Sequence, residues 1–174
     1  MKGPLFYSKI LLFGEYGIIE DSKGLSIPYN FFNGALKIAE NPTLESKKSN
    51  NILADFCSYL KQLDELDLDL ISFEKHIKKG LYFDSSIPKG YGVGSSGALV
   101  AAVYDKYSNN KITVLENLTR EKLLVLKSIF SKMESFFHGK SSGLDPLNSY
   151  LSIPILIKSK DDINVTGIPS QKLN

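Results

Sequence analysis

The stretch that decides the fold is Ile87-Pro88-Lys89-Gly90-Tyr91-Gly92-Val93-Gly94-Ser95-Ser96-Gly97-Ala98-Leu99-Val100-Ala101-Ala102. An extended apolar run from Leu81 to Ile87 precedes it, and Pro88 ends this predicted strand. Four glycines follow within eight residues, and a small-residue segment typical of a helix begins near Ser96. A glycine-rich turn that leads into a helix N-terminus presents free backbone N–H groups and the positive end of the helix dipole. The stretch therefore predicts a phosphate-binding loop.

This glycine-rich stretch also fits other structural patterns. Glycine-rich turns also serve in hairpins and linkers, and Ser95 and Ser96 fit either a helix cap or a hydroxyl ligand. Residues 92–97 satisfy the dinucleotide-binding pattern G-x-G-x-x-G, but the acidic residue expected about 20 positions later is absent from residues 111–113. No G-x-x-x-x-G-K-[ST] sequence occurs either. The Rossmann and Walker interpretations therefore both fail.

Three motifs resemble those of the GHMP kinases, the family of galactokinase, homoserine kinase, mevalonate kinase and phosphomevalonate kinase. The central ATP-binding motif is matched by Pro88-x-Gly-x-Gly-x-Gly94-Ser95-Ser96-x-Ala98, and the N-terminal motif by Ser8-Lys9-Ile10-Leu11-Leu12-Phe13-Gly14-Glu15-Tyr16-Gly17. The mevalonate kinase stretch H-G-x-P-S-G-x-D-x-x-x-S is similar to residues 138–149. Glu134 stands eleven residues before Asp145, at the position of that kinase's magnesium-binding glutamate. The resemblance covers most of the chain and follows the order of the motifs in the family.

The resemblance implies an α+β fold, the ribosomal protein S5 domain 2-like N-terminal domain of GHMP kinases, with a mixed sheet packed against helices. We expect this ATP-binding domain at residues 1–158, and the start of a linker or of a C-terminal domain at 159–174. The third family motif, a further glycine-rich loop, is absent from the sequence. We therefore expect an N-terminal half whose partner is the missing C-terminal domain, with a homodimer left open.

The resemblance also implies roles for individual residues. ATP would be bound by the loop and helix start, at Gly90, Gly92, Gly94, Ser95, Ser96 and Gly97. Mg²⁺, which prefers a few hard oxygen ligands, would be held by the Ser96 hydroxyl and the Glu134 carboxylate. Asp145 would take the proton of the acceptor hydroxyl, and Lys9 would keep Asp145 charged and stabilise developing negative charge.

The acceptor would be contacted by Glu15, Tyr16 and Ser142. The sequence departs from the family pattern at Tyr16, where Gly-Glu-His is common, which leaves the acceptor open. Gly97 replaces an alanine, for which we expect a cost of up to about 1 kcal/mol at the helix start and no change in chemistry. Ser141 replaces a proline.

Composition narrows the classes of partner. Of 174 residues, 43% are hydrophobic and 23% charged, and 21 basic against 19 acidic residues give a net charge of +2. This balance carries no signature of nucleic-acid or membrane binding. Cys57 is the single cysteine, which rules out a disulfide framework and a cysteine-based metal cluster. A cytoplasmic protein fits these features best.

The pattern predicts strands at Phe6, 9–13, 25–27, 35–38 and 150–157. A solvated loop is expected at 41–50, followed by a helix capped by Asn50 or Asn51, while 70–79 fits either a helix or an extended connector. Further helices are predicted at 98–107 and from a Thr119 cap to Phe137, ended by Gly139.

Two function classes remain. The first is an ATP-dependent kinase of isoprenoid biosynthesis that phosphorylates mevalonate or a related small hydroxy acid, with phosphomevalonate kinase or another GHMP kinase as the nearer alternative. The second is a non-catalytic S5-like binding module. The kinase mechanism requires the Glu134 carboxylate and Ser96 Oγ within about 5–6 Å, and Lys9 close to Asp145, which lies 136 positions later.

Overall fold

The computed structural model describes residues 3–13, 23–63, 65–113, 118–159 and 162–166. Its described strands are β1 (Phe6–Phe13), β2 (Gly24–Ile38), β3 (Leu81–Ser85), β4 (Ile155–Ser159) and β5 (Asp162–Val165). Its described helices are α1 (Leu44–Leu60), α2 (Leu70–Lys78), α3 (Ser95–Tyr107), α4 (Arg120–His138) and α5 (Leu144–Leu151). The fold is therefore α+β, as the sequence predicts.

The long strand β2 organises the sheet. It pairs with β1 along most of its length, with β4 at its first residues and with β3 at its last, and β5 continues the sheet beyond β4. Every described pairing is antiparallel, which differs from the mixed sheet expected from the sequence. The two strands predicted at 25–27 and 35–38 are parts of this one strand. The residues between them continue it, and Pro28, Tyr29 and Asn33 pair with β1.

Helix α1 begins earlier than the sequence indicates. Thr43 is its N-cap: the Thr43 hydroxyl accepts from the Ser46 N–H and the Ser46 hydroxyl accepts from the Thr43 N–H, at 3.1 and 2.9 Å. This reciprocal capping satisfies two N–H groups at the helix start. Asn50 is not a cap but a mid-helix residue whose side-chain amide donates to the carbonyls of Ile77 and Leu81. The solvated loop predicted at 41–50 is therefore wrong for residues 44–50.

The remaining helices follow the sequence more closely. Residues 70–78 form a helix, where the sequence left a helix and an extended connector open. Helix α4 has the predicted Thr119 cap and ends at Gly139, whose φ is +69°. The strand predicted at 150–157 is wrong at its start, because residues 150 and 151 end helix α5 and the strand begins only at Ile155.

The core lies between the sheet and the helices, with α3 at its centre. Small side chains along α3 are fully buried, and Tyr104, Phe130 and Tyr150 form an edge-to-face cluster that joins α3, α4 and α5 at ring distances of 5.0–5.6 Å. Beyond residue 158, the expected end of the domain, β5 still pairs with β4 and buries Ile163 completely. Within the described ranges, no helix is both long and apolar enough to cross a bilayer.

Candidate functional site

The glycine loop, residues 88–94, joins β3 to the N-terminus of α3. Gly90, Gly92 and Gly94 have φ values of +83°, +68° and +83°, which side-chain-bearing residues rarely adopt. Gly94 is the N-cap of α3, and no side chain caps this helix end. Ser95 and Ser96 are the first two residues of the helix, so the capping role left open for them does not apply. The uncapped N–H groups of α3 remain available to an anionic ligand.

A cavity of about 940 Å³ opens over the loop. Its walls are the first half of α1, strand β3, the glycine loop, and the adjoining ends of α4 and α5. Of the predicted site residues, Gly90, Gly92, Gly94, Ser95, Ser96 and Asp145 line it. Lys48 and Lys89 place positive charge in the same walls, and Glu45 and Asp84 place negative charge there. A cavity of this size accommodates a ligand as large as a nucleotide.

Lys9 and Asp145 meet beside the loop. Lys9 Nζ lies 3.0 Å from Asp145 Oδ1, and the two side chains are 13% and 34% exposed. The Lys9 N–H also donates to the Val93 carbonyl at 3.1 Å, which ties β1 to the glycine loop. Gly94 packs closely against Lys9, since a Cβ at this position would lie 3.1 Å from Lys9 Cγ. The structure thus brings together two residues that lie 136 positions apart, and their proximity is the one that the kinase mechanism requires.

Ser96 and Glu134 form the second pair. Ser96 Oγ donates to Glu134 Oε1 at 3.2 Å, well within the 5–6 Å expected for two ligands of one ion. Glu134 is only 3% exposed, and its Oε2 accepts from the Ser141 hydroxyl. Burial raises the pKa of Glu134 to about 7, and the hydrogen bonds from Ser141 and Ser96 oppose this rise.

The oxygen pair fits the requirements of Mg²⁺. Adjacent ligands of an octahedral ion with metal–oxygen distances near 2.1 Å lie about 3 Å apart, close to the observed separation of Ser96 Oγ and Glu134 Oε1. Among the described residues, no group of three or more His, Cys, Asp or Glu side chains is arranged to hold a metal. Two protein oxygens with remaining positions filled by phosphate and water is the usual arrangement for Mg²⁺.

Other predicted site residues lie elsewhere. Gly97 does not line the cavity; it is buried against α5, where a Cβ would lie 2.8 Å from the Asp145 carbonyl carbon and the Pro146 nitrogen. Ser142 is exposed at the start of α5 and does not line the cavity either. Glu15 and Tyr16 fall outside the described residues.

Sequence reasoning missed two polar residues at this site. His138 Nε2 lies 3.0 Å from Ser96 Oγ, and Ser141 binds both Glu134 and the Gly143 N–H. A signal for His138 was present, because it follows Glu134 by four residues and so shares its face of the helix. The α1 wall of the cavity is a further difference, because the sequence pattern predicts a loop where α1 begins.

Comparison with known proteins identifies the family. The family model described as GHMP kinases N terminal domain matches residues 53–152, more than half of the chain. The chain belongs to the GHMP kinases, and the match is to their N-terminal domain.

The solved structures similar to this chain include mevalonate kinases. The enzyme from Methanococcus jannaschii matches 98% of this chain and 57% of its own, at 17% identity and a TM-score of 0.54. A second mevalonate kinase structure matches 93% of this chain and 55% of its own, at 16% identity and a TM-score of 0.53. The chain thus spans little more than half of either, and at these identities the likeness shows the fold alone. No curated protein sequence gives a significant match.

Proposed function

We propose that this chain is the ATP-binding part of a small-molecule kinase of the mevalonate kinase type. The observation that carries the proposal is the convergence of two pairs, Lys9–Asp145 and Ser96–Glu134, beside one glycine loop and one cavity. Phosphoryl transfer needs a phosphate cradle, a divalent cation and a group that accepts the proton of the attacking hydroxyl. Family membership supports the kinase class, and the names of the two similar structures motivate mevalonate as the acceptor.

In this proposal the glycine loop and the N-terminus of α3 hold the phosphates, with positive charge from Lys48 and Lys89. The side-chain oxygens of Ser96 and Glu134, which lie 3.2 Å apart, would hold Mg²⁺. When bound, this ion would neutralise charge on the phosphate oxygens.

The chemical step breaks the bond between the γ-phosphorus and the oxygen that leaves with ADP. A new bond forms between the γ-phosphorus and the acceptor oxygen, and the hydroxyl proton passes to an Asp145 carboxylate oxygen. Lys9, paired with Asp145 at 3.0 Å, places positive charge beside the reacting oxygens. Glu15, Tyr16 and Ser142 remain proposed acceptor contacts, and a cytoplasmic location is part of the same proposal.

The test of this proposal separates binding from turnover. Calorimetric titration with ATP and Mg²⁺ measures the nucleotide affinity, and ADP release with mevalonate, and separately with phosphomevalonate, measures acceptor use. Asp145→Asn should lower turnover at least about 100-fold, because the amide cannot accept the proton, and should leave ATP affinity nearly intact. Loss of ATP binding with turnover per bound complex preserved would instead assign Asp145 to ligand positioning.

The matched control is Asp105→Asn, a carboxylate on α3 that pairs with Lys111 and does not line the cavity. It should leave turnover per bound complex unchanged. Absence of ATP binding by the wild-type chain would favour the non-catalytic binding module over the kinase.

A separate part of the proposal is that the chain needs a C-terminal domain for full activity. Since the chain spans 57% and 55% of the two mevalonate kinase structures, we expect slow turnover by residues 1–174 alone and recovery when a C-terminal domain is supplied. Robust phosphorylation of mevalonate by residues 1–174 alone would contradict this part, and would point to self-association or a cleft that is already sufficient.

A further inference from the structure

His138 is the last residue of α4 and faces the same cavity as Ser96. It follows Glu134 by one helical turn, so both side chains project toward the first turn of α3. His138 Nε2 lies 3.0 Å from Ser96 Oγ, and Glu134 Oε1 lies 3.2 Å from the same oxygen. Ser96 is thus held from two sides by residues of one helix.

Counting protons gives the direction of these two hydrogen bonds. A serine hydroxyl has one proton and two lone pairs. When Glu134 is ionised, as a metal ligand is, its carboxylate can only accept, so the Ser96 proton is directed to it. The His138 tautomer with a hydrogen on Nε2 then donates that hydrogen to Ser96 Oγ. One lone pair of Ser96 Oγ then accepts from His138, and one remains for a ligand in the cavity. The rotation of the hydroxyl is therefore set by both partners rather than left free.

We propose that His138 is a positioning residue: its Nε2–H fixes the Ser96 hydroxyl so that the free lone pair of Oγ can serve as a metal ligand. This inference rests on the proposed function, in which Ser96 and Glu134 hold Mg²⁺, and it extends that function to a residue with no direct contact to the ion. Direct contact of His138 with the nucleotide is the competing outcome, and the experiment distinguishes the two.

The experiment is a double-mutant cycle read by nucleotide affinity. The dissociation constant of ATP is measured by calorimetry with excess Mg²⁺ and with a chelator, for the wild type, His138→Ala, Ser96→Ala and the double variant. His138→Ala should weaken binding about two- to tenfold with Mg²⁺, the size expected for one hydrogen bond, and leave binding in chelator unchanged. In the Ser96→Ala background, His138→Ala should have no further effect.

Two more variants complete the design. His138→Gln carries a side-chain N–H donor in a comparable place and should restore most of the Mg²⁺-dependent affinity. Lys140→Ala removes an exposed side chain from the turn that follows α4 and should leave both affinities unchanged. Circular dichroism melts identify any variant whose loss of affinity comes from unfolding.

Three results would overturn the inference. An undiminished effect of His138→Ala in the Ser96→Ala background, or an equal loss with and without Mg²⁺, would mean that His138 acts on the nucleotide or the loop directly. Unchanged affinity in His138→Ala would mean that Ser96 needs no second partner. Each of these three results is compatible with the proposed function. A wild-type chain that binds no ATP would contradict both proposals.

Discussion

At the scale of single residues, Glu134 is the described carboxylate whose ionisation the fold alters most. It is 3% exposed and bound by two serine hydroxyls, and burial raises its pKa from an ordinary 4.5 to about 7. A buried carboxylate without a cationic partner is costly to ionise. A group of this kind, beside a loop suited to phosphate, is typical of a functional site in which a bound cation supplies the missing charge.

We predict that Glu134 makes the stability of the ligand-free chain depend on pH. Because its folded pKa is above its unfolded pKa, the folded state binds more protons between pH 4.5 and about 7. Stability should therefore fall as the pH rises through this window, by up to about 3 kcal/mol. In urea unfolding at pH 5 and pH 8, Glu134→Gln should lack this decrease.

Glu40→Gln, which changes an exposed glutamate, is the matched control and should keep the wild-type decrease. The assignment to Glu134 fails if Glu134→Gln loses as much stability between pH 5 and pH 8 as the wild type does.

At the scale of elements, the contact between α3 and α5 depends on Gly97. Its lack of a Cβ allows the Asp145–Pro146 backbone to lie against the first turn of α3, which brings Asp145 to the glycine loop. The sequence suggested only a small cost in helix propensity for this glycine. The structure corrects that expectation, because the space above Gly97 is filled by backbone, which cannot move aside as a flexible side chain could.

Gly97→Ala should therefore destabilise the chain despite the better helix propensity of alanine. Overpacking costs about 1–3 kcal/mol, and the propensity gain of up to about 1 kcal/mol offsets only part of it. Gly3→Ala adds the same methyl group where its nearest neighbour, at 3.8 Å, is in ordinary contact, and should change the free energy of unfolding little. Denaturant unfolding measures both, and equal stabilities for the two variants would contradict the tight α3–α5 contact.

At the scale of the whole molecule, the cluster of Tyr104, Phe130 and Tyr150 ties the helices that carry the site into one core. Phe130 is fully buried, and Phe130→Ala should cost about 3–5 kcal/mol through lost burial and a cavity. Val125→Ala, on the same helix but 49% exposed, should stay within about 0.5 kcal/mol of the wild type. Chemical denaturation followed by tyrosine fluorescence and by circular dichroism should give coincident transitions; separate transitions would mean that α4 is not part of a single cooperative core.

The sequence alone was sufficient wherever structure follows from local rules. The glycine loop, the helix after it and the long helix from its Thr119 cap to Gly139 were all predicted, because backbone conformation and helix caps depend on residues within a few positions of each other. Where two local signals compete, sequence was less reliable. Residues 45–50 are all polar, as in a loop, yet the Thr43–Ser46 capping box and the contacts of Asn50 stabilise them as a helix.

Only the tertiary structure decided how distant segments meet. Motif resemblance, not local pattern, paired Lys9 with Asp145, and folding is what places their charged atoms 3.0 Å apart across 136 positions. The backbone above Gly97 had no counterpart in the sequence pattern. The spacing of His138 from Glu134 indicated a shared helix face but not the approach of His138 to Ser96. The physical reason is that such contacts depend on the packing of whole helices against the sheet, where a change of a few tenths of an ångström determines whether a methyl group fits or a hydrogen bond forms.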